Sequence, residues 1–179
     1  MTARHFIFFL LAFIFANHLK AQSTEKYLTR HAMEDGILLY LKPQDWKGSG
    51  QKAIAVDFTL YLAAEKETCT VGISRKFASP SESQISSINL GLAGEAPLFI
   101  NDNLEPIFLE KKGKKWIDRY RIDIPVELLM TLLGSDILPS LGITQPQQTT
   151  SRNPGKQWQK MKEVILPTLE FELKKNRQN

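Results

Sequence analysis

IAVDFTLYL, residues 54–62, sets Ile54, Val56, Phe58, Leu60 and Leu62 alternately with Ala55, Asp57, Thr59 and Tyr61. A period of two gathers the first set on one face of a pleated strand, whereas a helix would scatter it around its circumference. The stretch reads as a half-buried strand. A polar turn at residues 64–67 leads into a second alternation, with Cys69, Val71, Ile73 and Phe77 on one face and Thr68, Thr70, Gly72 and Ser74 on the other. Two alternating runs joined by a short polar link imply an antiparallel hairpin.

Upstream, Ile37, Leu39 and Leu41 share a strand face that ends at Lys42-Pro43. Residues 44–51 (QDWKGSGQ) read as a Gly/Ser loop carrying Trp46, and residues 22–35 as an irregular segment. Downstream, residues 85–92 suggest a third strand. Residues 97–100 and 104–110 suggest a further hairpin about Asn101-Asp102-Asn103, residue types that tolerate tight turns. Lys111, Lys112, Lys114 and Lys115 surround Gly113 in the next turn. Along residues 116–124, Trp116, Tyr120, Ile122 and Ile124 share one face, and Asp118 falls among them.

At Pro125 the period changes to that of a helix. Val126, Leu129, Met130 and Leu133 recur at helical spacing, with Pro125 at the start and Gly134 at the end. Residues 136–143 suggest a strand broken by Pro139, and residues 145–155 read as a loop without periodicity. Trp158, Met161, Ile165 and Leu169 then follow helical spacing, interrupted at Pro167, which suggests a helix near 156–166. The expectation is one α+β or mainly β domain over residues 36–173, followed by a frayed tail at 174–179. About six to eight strands should form an antiparallel sandwich or partly open barrel, with a short helix near 125–133 and the C-terminal helix against it.

The N-terminus has a separate logic. Arg4 and His5 precede the apolar run FIFFLLAFIFA at residues 6–16, and Ala21 closes the segment. That order matches a cleavable secretory signal over residues 1–21. At about 1.5 Å per residue the run falls short of the roughly 20 residues needed to span a bilayer. The Lys20-Ala21-Gln22 ending resembles signals of exported proteins from Bacteroidota-type Gram-negative bacteria. A periplasmic or extracellular product starting at Gln22 is expected, with no integral membrane segment. Loss of Arg4 and Lys20 takes the 23 basic residues to 21 against 19 acidic ones, a formal charge of +2. So mild a charge does not suggest nucleic-acid binding.

The supply of reactive groups is thin. Of three histidines, His5 and His18 leave with the signal, and only His31 remains for acid–base work. Cys69 is the single cysteine, so no intrachain disulfide forms, and its apolar neighbours suggest a core residue. One Cys and one His do not make a zinc site. Asn101, Asp102, Asn103 and Glu105 read as a turn or a weak cation site. No metal or other cofactor is expected.

Six residues stand out as ligand-binding candidates. Trp46 could stack on a sugar or a partner, or pack over the sheet rim. The lysines Lys111, Lys112, Lys114 and Lys115 form either a solvated turn or a patch for an anionic partner. Asp118, inward by alternation, needs a partner, and its neighbours Arg119 and Arg121 face the other way. Asp57, Asp118 and Asp123 are the candidate carboxylates for hydrolysis. The pattern favours a non-enzymatic binding domain for an envelope protein, a glycan or an anionic surface. The alternatives are a small-ligand carrier with a β-barrel cavity and a carboxylate-based hydrolase acting on glycans.

Overall fold

The computed structural model describes residues 24–178, apart from residues 65, 80–83, 103, 105 and 147. The expected signal therefore lies outside the described residues, as do Asn103 and Glu105. Among those described, ten strands and two helices are ordered as β1 (Leu28–Ala32), β2 (Gly36–Lys47), β3 (Ile54–Ala63), β4 (Lys66–Phe77), β5 (Ser87–Leu92), β6 (Pro97–Asn101), β7 (Pro106–Lys112), β8 (Lys115–Ile124), α1 (Val126–Gly134), β9 (Pro139–Gln145), β10 (Gln148–Pro154) and α2 (Gln157–Asn176).

The strand at residues 54–62 sits in the middle of its ladder, as its alternation requires. Nine strands follow the order β6-β5-β9-β10-β2-β3-β4-β8-β7, and every pairing is antiparallel. The result is a β-rich α+β fold whose single sheet curls into an open half-barrel. β1 lies along the same edge of β2 that β10 reaches further on. The β10–β2 join has only two residue pairs, Asn153 with Lys47 and Pro154 with Trp46. This seam connects a six-stranded part to a four-stranded part.

The concave face is mostly apolar. Ile54, Val56, Phe58, Leu60 and Leu62 of β3 and Cys69, Val71 and Ile73 of β4 are buried there. α1 starts at Pro125, whose fixed φ suits a helix entrance, and buries Val126, Leu128, Leu129, Leu132 and Leu133. α2 lays Trp158, Met161, Ile165, Leu169 and Leu173 into the concavity. The Trp158 ring meets Trp46 edge-on at 5.8 Å and Phe58 at 6.4 Å.

Five regions depart from the sequence reading. β2 runs past Lys42-Pro43 to Lys47, through part of the expected loop at 44–51, because a register shift between Leu41 and Gln44 lets Gln44, Asp45 and Trp46 pair with β3. Residues 28–32 form β1, where Leu28 is buried, Thr29 half-buried and the rest exposed, so no alternation marks it. β10 replaces the expected loop at 145–155, because its inward residues are Thr150, Arg152 and Pro154 rather than apolar side chains. β6 and β7 do not pair with each other: β6 pairs with β5 and β7 with β8, at opposite ends of the sheet. α2 continues past Pro167 to Asn176, where the tail is tied down. Asn176 Nδ2 donates to the Ala63 carbonyl at 3.1 Å, and Arg177 binds Glu67 at 2.7 Å.

Candidate functional site

The lysine turn is built by the β7–β8 hairpin. Gly113, at φ 63°, takes the left-handed conformation that closes it. Lys112 stands opposite Lys115, and Lys111 opposite Trp116. All four lysines are exposed, and none makes an ion pair among the described residues. Like charges placed directly across a ladder oppose the pairing, so this hairpin carries positive charge at some cost to itself.

One strand inward, the same end of the sheet holds a buried ion pair. Arg75 of β4 stands opposite Asp118 of β8, and both face the interior. Arg75 Nε donates to Asp118 Oδ1 at 3.1 Å, and Nη2 closes on Oδ2. The guanidinium also lies over the Phe77 and Tyr120 rings, 5.4 and 5.5 Å from their centres. Burial raises the Asp118 carboxyl above its ordinary range despite the opposing pull of Arg75. Burial also raises the Tyr120 hydroxyl, with Asp118 adding to it. Asp118 is thus a structural pair member. Its partner comes from the neighbouring strand, two ladder positions before Phe77.

Across the seam, β10 contributes Arg152, 9% exposed. Its Nη1 donates to Thr150 Oγ1 at 2.5 Å, and its Nε has no hydrogen-bond partner among the described residues. Burial, and then the nearby charge of Arg75, lower its pKa from the ordinary guanidinium value. Arg75, Arg152, Thr150, Gln148, Lys52 and Lys76 line a cleft of about 220 Å³. The sequence reading missed both arginines. Arg75 was legible by parity, since it continues the inward series Cys69, Val71 and Ile73; Arg152 was hidden in a stretch with no apolar period.

Trp46 lies in β2 and is fully buried, so it is the packing reading of this residue that the structure takes. Its ring meets Trp158, which leaves it no face for a sugar. His31 is exposed on β1. No group of three or more metal-ligating side chains occurs among the described residues.

The outer face carries a second ion pair. Arg119 holds Asp57 through Nη1–Oδ2 at 2.9 Å and Nη2–Oδ1 at 2.8 Å, and also reaches Ser74 Oγ at 2.9 Å. Gly72 makes the space: a Cβ there would come within 2.2 Å of Arg119 and 2.5 Å of Asp57. The two buried carboxylates, Asp57 and Asp118, therefore occupy opposite faces of the sheet, each bound to an arginine. They do not face one another across a cleft. Exposed Asp123 accepts from Thr70 at 2.8 Å.

No helix among the described residues is long and apolar enough to cross a membrane. No family model, curated protein or solved structure matches the chain.

Proposed function

We propose that the chain is an exported, non-enzymatic binding domain that sets its basic end against an anionic surface of the cell envelope. The carrying observation is the β7–β8 tip, where four exposed lysines stand without acidic partners among the described residues. Lys76 on β4 and Lys52 just before β3 extend the positive charge along that end. α2 in the concavity and the separation of Asp57 from Asp118 favour this reading over the carrier and the hydrolase.

A lysine near an anionic leaflet contributes about 1 kcal/mol, and salt screens that attraction over about 10 Å. Binding to vesicles containing phosphatidylglycerol should therefore weaken with added salt. Changing Lys111, Lys112, Lys114 and Lys115 together to Gln should weaken it by tenfold or more, to order of magnitude. Co-sedimentation measures both effects. Vesicle binding that ignores salt and the four substitutions would remove the proposal.

A further inference from the structure

We propose that the cleft at the seam is a binding site for a single oxyanion group, carboxylate or phosphate, held chiefly by Arg152. This goes beyond the lysine turn, and neither reading depends on the other.

Arg75 is matched by Asp118 through two contacts. Arg152, more than nine-tenths buried, has no carboxylate: its one hydrogen bond among the described residues goes to a hydroxyl, and its Nε is unpartnered. Among the described residues, the two buried guanidinium groups at this cleft share one buried carboxylate, and it is bound to Arg75. A buried ion without a partner is strongly unfavourable, and a guanidinium is never neutral at ordinary pH. A guanidinium kept only for packing spends its donors on backbone carbonyls, and among the described residues Arg152 donates to none.

The cleft that Arg152 lines gives a compensating charge a way in. About 220 Å³ exceeds the share of liquid volume of several waters, each about 30 Å³. That space accepts an oxyanion group with part of its hydration. The planar guanidinium fork matches the paired oxygens of carboxylate and phosphate alike. Lys52 and Lys76 at the rim add attraction without closing the entrance.

Titration calorimetry of the purified protein with sodium phosphate and with sodium acetate tests the site, with ionic strength held constant by chloride. Saturable one-site binding of at least one anion is expected. Binding of phosphate alone assigns a phosphoryl ligand; binding of both admits carboxylates. Arg152→Gln should weaken the binding by about tenfold or more, and Arg152→Lys should not restore it, because Lys lacks the fork. The four-lysine variant should lose vesicle binding yet keep the small anion, which separates this site from the turn. Should Arg152→Gln fail to fold, the exposed pair Lys52→Gln and Lys76→Gln should lower affinity with an unchanged melting temperature in chloride. The idea is overturned by the absence of saturable binding for either anion. It is equally overturned if the folded Arg152→Gln protein, or otherwise the rim variant, binds like the parent.

Discussion

Cys69 stands on the inner face of β4, opposite Leu60 on one side and Ile124 on the other. Burial, with a smaller contribution from the charge of Asp123, pushes its thiol up to about 12. The thiolate is the nucleophile, so the native protein should resist an aromatic disulfide reagent, and one thiol should titrate after denaturation. Modification of the native protein at the rate of a free thiol would contradict that burial. The folded state binds this proton more tightly than the unfolded chain does. Its contribution to stability is therefore intact below the ordinary value of 9.0 and lost as pH rises toward about 12. Gly72 is the second decisive residue. It pairs with Asp57 and Arg121, and Arg119 reaches diagonally across it. Gly72→Ala should cost about 2 kcal/mol, as overpacking does, measured by urea denaturation; an unchanged midpoint would refute the close approach. The sequence placed Asp57 on the outer face of its strand and offered it as a candidate carboxylate for hydrolysis. Its burial depends on a residue two strands away, a relation that alternation along one strand does not carry.

At the scale of elements, α2 passes through Pro167 because its inward series continues beyond it, with Leu169 and Leu173 buried. Proline removes one backbone donor and crowds the preceding turn, typically at a cost of about 3 kcal/mol. Pro167 is exposed, so its ring contributes little to the core. Pro167→Ala should raise stability by about 2 kcal/mol, seen as a higher melting temperature; a fall would mean that the proline shapes the docking of Leu173. Strong periodicity made β3, β4, β8 and α1 legible. β10 was not, since polar Thr150 and Arg152 supply its inward face and the ladder, rather than hydrophobic burial, makes it a strand. Asp118 shows the intermediate case. Parity gave its inward direction, but the identity of Arg75 as its partner required the β4–β8 register.

At the scale of the molecule, the link between β6 and β7 limits the shape. From Asn101 to Pro106 the chain takes five steps, at most about 18 Å when fully extended. The two outermost strands of the sheet must therefore come near one another, which is why the sheet curls. The partly open barrel was within reach of the sequence, whereas the strand count and order were not, because hairpin logic paired β6 with β7. Export belongs to this scale too, as a proposal. N-terminal sequencing of the periplasmic product should begin at or near Gln22, and an exported product still beginning at Met1 would contradict cleavage.

The seam gives the molecule a joint. Pro154 offers no N–H to β2, so two residue pairs and the Gly155 N–H, donated to the Asp45 carbonyl at 3.3 Å, tie the two strands together. The edge-on contact of Trp46 with Trp158 acts as a rivet behind them. Breathing at this joint would move Arg152 on β10 relative to Arg75 on β4 and so alter the width of the mouth between them. Clasping a guest there would stiffen the joint, and tightening the joint would in turn improve the grip.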